Sequence, residues 1–447
     1  MALIASDRRT LIVGLGATGL SCVRHCHARG RQLAVADSRA QPPGLADVRE
    51  RWPDVEVVTG AFDPAWFRGF DELIVSPGIS LDEPAIVAAA EAGARISGDL
   101  DLFREAVDAP VVAITGSNGK STVTTLVGEM AVEAGMNAAV GGNLGTPALD
   151  LVAPGIELYI LEVSSFQLER TTDLKPDVAT VLNVSDDHMD RYPDRMSYFQ
   201  AKHRIFQGAR SAVVNLDDPL SQPLLNEGMV PHFFGLFRVD LGVFSTREDD
   251  TGLWLTHGLD NLVHANELAV AGMHNIVNVL AALALGNAAG LPMAPMLTAA
   301  RRFRGLPHRS QSIREHQGVL WVNDSKATNV GATRAAIESL SPAEGQLVLI
   351  AGGDAKGADL SPLSEAVAGR VRHLVLLGQD GPLLEEILGP LVAGSSRVST
   401  MEEAVSVAAA KAQAGDRVLL SPACSSLDQY SSYEARGDAF AQAVEAL

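Results

Sequence analysis

The stretch ITGSNGKST, residues 114–122, carries the strongest chemical signal in the chain. Gly116, Gly119, Lys120 and Ser121 lie between an apolar run, APVVAI, and the helix-forming segment TVTTLVGEMAVEAG. A glycine-rich turn in that setting points backbone N–H groups and the positive end of a helix at phosphate oxygens. The lysine reaches the β- and γ-phosphates and the hydroxyl serves Mg2+. The pattern departs from GxxxxGK[ST] at its first glycine, where Ile114 stands, leaving the shorter TGxxGK[ST] form. Nucleotide binding is therefore expected.

Mg2+ takes oxygen ligands, and Glu162, at the end of the apolar run LYILE, stands where a metal-binding carboxylate at a strand end belongs. The same residue is equally compatible with a solvated edge or a helix cap. Downstream, NVSDDHMDRYPDRMSYFQAKHRIF is dense in His, Asp, Arg and Lys. Within it, His188 is a candidate metal ligand, phosphate donor or core histidine, and Lys202 reads by default as a solvated helix lysine. Near the start, GLGATG (14–19) fits GxGxxG, the turn that carries a backbone close to a pyrophosphate. Taken alone it suggests a nicotinamide oxidoreductase, with Asp37 as the ribose-binding acid.

These segments need sheets to position them. Short apolar runs alternate with Ala-rich helical stretches almost throughout, as in parallel sheets covered by helices on both faces. TLIVGLG, QLAVAD, VEVVTG and ELIVSPG read as strands of a first α/β unit. APVVAI, LYILEVSSF, VATVLNV and SAVVNLD belong to a second, which continues into a more antiparallel segment, VDLGVFSTREDDTGLWLTHGLDNLV. The turn at Gly305 and Pro307 marks the start of a third unit, with strands VLWVND, LVLIAGG, HLVLLG and RVLLSPA. The boundaries expected are 1–98, 99–305 and 306–447.

With 54 acidic against 35 basic residues in 447, the net charge of −19 argues against a general nucleic-acid binder. Phosphate must be held by a few local donors. Three cysteines make a disulfide framework improbable. The N-terminus lacks a signal-peptide pattern, and the most apolar stretch, IVNVLAALALGNAAGL, is interrupted by Asn278 and Asn287. A cytoplasmic protein without membrane insertion is expected.

TGSNGKS, LEVSSFQLE, NVSDDHMDRY, AKHRIF, GMHNIVNVLAA, GLPHR, NDSKATN, GGDAKGAD and SPACSSLDQY occur in order between residues 115 and 430, after GLGATGLSC and SPGIS. Together they resemble the Mur ligase family, most closely its D-glutamate-adding member, over essentially the whole chain. The resemblance implies an α/β protein of three domains: N-terminal Rossmann-like, central P-loop mononucleotide-binding and C-terminal Rossmann-like. It implies an ATP-dependent ligase of peptidoglycan precursor synthesis. By that resemblance the carboxylate of UDP-N-acetylmuramoyl-L-alanine would attack the γ-phosphate of ATP, and the amine of D-glutamate would displace phosphate from the resulting acyl phosphate.

By the same resemblance the catalytic groups are Lys120, His188 and Lys202. ATP falls to Gly116, Ser117, Asn118, Gly119, Lys120, Ser121, Thr122, Asn275, Arg309, Asp324 and Lys326. Two Mg2+ ions fall to Ser121 and Glu162 and to His188 and Lys202, the last as a carbamate, since an ammonium cannot ligate a cation. The UDP-linked substrate falls to Gly16, Ala17, Thr18, Ser38, Arg39, Ser76, Pro77, Gly78, Asn143 and His188. D-Glutamate falls to Thr328, Lys356, Ser426, Leu427 and Tyr433, with Tyr430 as the other candidate ring. A monomer is expected, with a hinge near GLPHR.

The competing readings are a sister ligase adding another amino acid, a nucleotide-binding switch and the oxidoreductase. The DNPR tetrapeptide associated with diamino-acid addition and the NKxD motif of a guanine-binding switch are both absent from the sequence. The oxidoreductase reading leaves TGSNGKS unexplained.

Overall fold

Arg9–Val13 (β1) enters the first core as RTLIV, with all but its first residue buried, and the chain then turns through Gly14 into the helix Ala17–Ala28. A computed structural model of the chain describes residues 8–185, 187, 191–192, 194–225, 227–238, 240–270, 272–342 and 344–447. Among these residues the strands form three sheets. The first adds β2 (Gln32–Asp37), β3 (Glu56–Thr59), β4 (Glu72–Val75) and β5 (Arg95–Ser97), in the all-parallel order β3-β2-β1-β4-β5. The order reverses between β1 and β4, and a crevice opens there at the carboxyl ends of the strands.

The second sheet contains β6 (Val111–Thr115), β7 (Ala138–Gly142), β8 (Leu158–Glu162), β9 (Val178–Val181), β10 (Ser211–Asn215), β11 (Val230–Phe234), β12 (Val243–Asp249), β13 (Gly252–His257) and β14 (Asp260–His264). Its order is β14-β13-β12-β11-β10-β9-β6-β8-β7. Pairing is parallel from β7 to β12, and β12, β13 and β14 form the antiparallel extension. The apolar stretch 276–291 is no membrane span. It lies largely in the helix Met273–Ala288, where Leu280, Leu283 and Leu285 share a core with Leu126 and Met130 of the helix Lys120–Glu133. Such a helix reads as apolar all round because it is covered all round. Among the described residues, no helix is long and apolar enough to cross a membrane.

The third sheet has β15 (Gln311–His316), β16 (Val319–Asn323), β17 (Leu347–Gly352), β18 (Val371–Leu377), β19 (Gly394–Arg397) and β20 (Arg417–Leu420), in the order β15-β16-β20-β17-β18-β19. Only β15 runs antiparallel to its neighbour. All three cysteines are buried free thiols.

The first two units share one apolar core, in which Cys22, Val23 and Cys26 of the first helix meet Leu100, Phe103 and Leu161. Polar contacts align them: Ser21 donates to Asp150 at 2.9 Å, and the Thr172 and Asp173 amides donate to Asp101 at 2.9 and 2.8 Å. Gln167 Nε2 donates to Asp99 Oδ2 at 3.0 Å. Burial pushes the Asp99 carboxyl up to about 6, with the Gln167 hydrogen bond opposing. Its folded pKa thus exceeds the unfolded one, so only the folded state holds the proton in between, and stability falls as pH rises through that window. Each such pH unit is worth roughly 1.4 kcal/mol, or ~3 kcal/mol over the two units. Asp99→Asn keeps an acceptor for Gln167 and removes the charge. Its melting temperature relative to the parent should therefore rise between pH 4 and 6 and stay level above; a difference that is flat or falls across that range refutes this account.

Candidate active site

Strand β6 ends at Thr115, and its two neighbours in the sheet, β8 and β9, end level with it: Ile114 pairs with Glu162 and Thr115 with Val181. Glu162 and the segment after β9 therefore flank the loop 116–119. Gly116 has φ +154° and Gly119 has φ +82°; a Cβ on the second would come within 2.4 Å of Asn278 Oδ1. Asn183 clamps the loop reciprocally: its Oδ1 accepts from the Asn118 amide at 2.8 Å and its Nδ2 donates to the Asn118 carbonyl at 3.0 Å. Ser117 Oγ donates to the Ser185 carbonyl at 3.0 Å. The loop opens onto the helix that starts at Lys120, with buried Ser121 and Thr122 in its first turn.

Two lysines meet here. Lys120 Nζ donates to the carbonyls of Gly116 and Ser117 at 2.8 and 2.9 Å, and Lys202 Nζ donates to the same Gly116 oxygen at 2.8 Å. Lys202 is 1% exposed, with Nζ 4.4 Å from the centre of the Tyr198 ring. It is thus no solvated helix lysine. Burial first, and then the charge of Lys120, pushes its ammonium well below the ordinary lysine value. Burial also lowers Lys120. Glu162, 3% exposed, accepts from Asn143 Nδ2 at 2.6 Å through Oε1. Its Oε2 is buried and has no hydrogen-bond partner among the described residues. His188 lies outside the described residues.

The third unit closes this region into a cleft of about 810 Å³. Arg309 donates to Ser121 Oγ at 2.7 Å, and Asn329 Nδ2 donates to Asn118 Oδ1 at 3.2 Å. Lys326, Thr328 and Lys356 line the cleft from loops at the carboxyl ends of β16 and β17. Lys326 Nζ sits 3.8 Å from the centre of the Tyr433 ring, and burial, with the charges of Arg309 and Lys120, lowers its ammonium to about 8.

Other expected residues stand apart. Asp324 does not line the cleft: its Oδ1 accepts from the Ser310 amide and its Oδ2 from Ser421 Oγ, each at 2.9 Å. Burial pushes this carboxyl up to about 7. It fixes the turn that carries Arg309. Asn275 lies inside the first turn of the helix Met273–Ala288, whose N-cap is Gly272, and its Oδ1 accepts from Asn278 at 3.4 Å. Ser426 is buried, Leu427 is 67% exposed, and neither they nor Tyr430 line the cleft.

One joint was not read from the sequence, although GMHN contains it. His274 Nδ1 lies 2.7 Å from Ser339 Oγ and Nε2 lies 3.1 Å from Ser310 Oγ. Ser339 Oγ gives its proton to the Ala335 carbonyl at 2.6 Å, so His274 donates through Nδ1–H and accepts from Ser310 through Nε2. Burial lowers the imidazole to about 4, keeping it in that neutral form. His274 thereby joins the central unit to two elements of the third.

A second cavity, of about 560 Å³, lies at the crevice between β1 and β4. Gly16, Ala17, Thr18, Ser38, Arg39, Ser76, Pro77 and Gly78 line it, together with Asn143 and Gln167 of the central unit. A Cβ on Gly19 would fall 1.8 Å from the Gly14 carbonyl oxygen, so the turn requires glycine there. Asp37 has no free oxygen to offer a ribose. Its Oδ2 accepts from the Leu15 amide and from Arg39, both at 2.7 Å, and its Oδ1 accepts from Arg39 N and Nε, both at 2.9 Å. This arrangement removes the basis of the oxidoreductase reading. Asn143 lines both cavities and so marks their junction.

A phosphate-loop cleft joined to a second cavity on a Rossmann-like domain suits an enzyme that brings a nucleotide to another anionic ligand. Three family descriptions match in order: "Mur ligase MurD-like, N-terminal domain" over residues 8–98, "Mur ligase middle domain" over 114–286 and "Mur ligase, glutamate ligase domain" over 308–424. The chain belongs to the Mur ligase family. It is 61% identical, over the full length of both chains, to the UDP-N-acetylmuramoylalanine–D-glutamate ligase of Marinobacter nauticus. It is 55% identical, again over both full lengths, to the enzyme of that name from Pseudomonas aeruginosa. Among solved structures it is similar to the UDP-N-acetylmuramate–alanine ligase of Thermotoga maritima, with a TM-score of 0.61 and 18% identity over 98% of this chain and 100% of that one. At that identity the likeness is one of fold.

His274→Ala should loosen the turn bearing Arg309. Calorimetry is expected to show ATP binding weakened by about tenfold, or ~1.4 kcal/mol, with binding of a UDP-linked sugar unchanged; equal loss at both sites counts against this role.

Proposed function

We propose that the protein joins D-glutamate to UDP-N-acetylmuramoyl-L-alanine at the cost of ATP, giving ADP and phosphate through an acyl-phosphate intermediate. The observation that carries this reading is the junction at Asn143, where the cavity on the GLGATG turn adjoins the cleft holding the phosphate loop. A ligand anchored by its diphosphate in the first cavity extends its carboxylate toward the second. Full-length kinship with ligases named for this reaction supports the same substrates.

A carboxylate and a triphosphate repel each other, and Lys120, Arg309 and Lys326, all lining the cleft, supply the local positive charge that lets them meet. The N–H groups of the loop and of the first helical turn hold the phosphates. Arg309 reaches Ser121 across the cleft, and closing about the GLPHR turn would bring the third domain's cations to ATP. The incoming D-glutamate lies between Thr328, Lys356 and the phosphate loop. Its amine attacks the acyl phosphate carbon, the tetrahedral intermediate collapses, and phosphate leaves.

The residues also fit Mg2+: the buried Glu162 Oε2, unpartnered among the described residues, and the Ser121 hydroxyl are hard oxygen donors. Bound there, the ion neutralises phosphate charge. The shared acceptor of Lys120 and Lys202 supports carbamylation of Lys202. Two ammonium groups on one carbonyl oxygen repel. A neutral Lys202 amine attacks CO2, forming an N–C bond and releasing a proton, and the resulting carbamate both relieves the repulsion and offers oxygens to a second Mg2+. His188 would complete that second site.

Phosphate release by the purified protein with ATP, UDP-N-acetylmuramoyl-L-alanine and a panel of amino acids tests the reaction. Dependence on D-glutamate is expected. Dependence on L-alanine or a diamino acid moves the protein to a sister activity, and no turnover with any of them overturns the reading. A crystal structure with nucleotide and substrate should show carbamate density on Lys202; a bare ammonium there removes that part of the proposal.

A further inference from the structure

The loop Ser76–Ile79, which lines the cavity on the first domain, is held from the second domain by an arginine that the proposed reaction does not use. Arg170 ends the helix Ser165–Arg170 and its side chain is 0% exposed. Its guanidinium donates to the Ser76 carbonyl at 3.2 Å and to the Ile79 carbonyl at 3.1 Å. Its nearest carboxylate, Glu169, stands 3.5 Å away, and its Nε is buried with no partner among the described residues. Gly98 makes room for the chain: a Cβ there would lie 2.9 Å from Arg170 Cγ. Arg191, stacked on Phe166, reaches the Gly78 carbonyl at 3.4 Å from the same side. A buried guanidinium satisfied mainly by carbonyls is a costly way to staple two domains, since apolar packing of similar volume would do as well.

The loop's own bonding shows what the arginine achieves. The Ser76 amide donates to Val13, the Ile79 amide donates to Ser76, and Pro77 has no N–H. Gly78 N–H is left as the loop's unpaired donor among the described residues. With three of the four loop carbonyls bound by arginines, the loop is fixed with that donor beside the cavity, and two positive charges stand behind it.

We propose that Arg170, seconded by Arg191, is a positioning residue for the UDP-linked substrate, completing the first domain's cavity from the second domain. This rests on the reading that the cavity holds that substrate. The test is steady-state kinetics and calorimetry on full-length Arg170→Met, Arg170→Lys and Arg191→Ala, with melting temperatures alongside. Arg170→Met should raise KM for the UDP-linked substrate about tenfold and weaken its binding equally, with kcat and the KM values for ATP and D-glutamate within twofold of the parent. Arg170→Lys, which keeps the charge and loses the fork, should fall between. Arg191→Ala, at an exposed residue, should raise the same KM by roughly two- to threefold without changing the melting temperature.

A parallel rise in all three KM values, or a lowered melting temperature with unchanged KM, overturns the proposal. Should Arg170→Met fail to fold, an unchanged KM in both other variants overturns it equally. A parent that does not bind the UDP-linked substrate instead overturns the reading beneath it.

Discussion

Two lysines converge on the carbonyl oxygen of Gly116, at the floor of a cleft in a chain of net charge −19. Everything that surrounds them follows from the need to concentrate positive charge at one point and shield it from water. The loop is clamped by Asn183, the helix behind it is buried against Met273–Ala288, and Glu162 lies opposite with one oxygen unpartnered among the described residues. Burial makes each of these charges expensive, and that expense makes the site responsive to a ligand. A triphosphate or a divalent ion entering the cleft meets buried charges, one of them a carboxylate oxygen unpartnered among the described residues.

Parallel sheets explain why such distant residues meet. In the central sheet β6 lies between β8 and β9, so the phosphate loop, Glu162 and Asn183 emerge side by side although Gly116 and Asn183 are 67 positions apart. The third sheet repeats the device: β16, β20 and β17 are adjacent, and their carboxyl ends present the segments bearing Lys326, Ala423 and Lys356 to the same cleft. The first sheet turns its own switch point toward Asn143. Three crevices of one kind, each at the carboxyl ends of parallel strands, thus face one cleft and the cavity that adjoins it at Asn143.

Much of this was legible in the sequence, and what was missed has a common cause. Four of the unread strands, β5, β7, β15 and β19, are edge strands, three to six residues long and partly exposed, so they lack the apolar run that marks a central strand. The fifth, β11, opens with an exposed Val230 and carries Pro231. Within the cleft the sequence identified the groups that touch its volume: residues 117–121 of the loop and helix start, Glu162, Lys202, Arg309, Lys326, Thr328 and Lys356 all line it. It was less informative for Asp324, whose carboxylate is spent on Ser310 and Ser421, because a motif records that a residue matters without recording which neighbour it serves.

The opening GLGATG shows the same limit from the other side. A GxGxxG turn followed by an acid at the end of the next strand is shared by folds that bind different nucleotides, because the glycines answer to a tight turn, to the close approach of backbone to an anion and to the packing of helix on strand, whichever nucleotide is bound. What separates the cases is the commitment of Asp37. Its four hydrogen bonds go to Leu15 and Arg39, so the acid locks the turn to the Ser38–Arg39 segment and leaves the cavity wall to hydroxyls, a guanidinium and backbone amides. Three of those bonds are local, two positions apart, but the Leu15 bond spans 22 positions and forms only when β1 and β2 pair, Val13 beside Ala36. The motif announces a phosphate, while what the acid is left free to bind depends in part on a strand pairing that no local pattern contains.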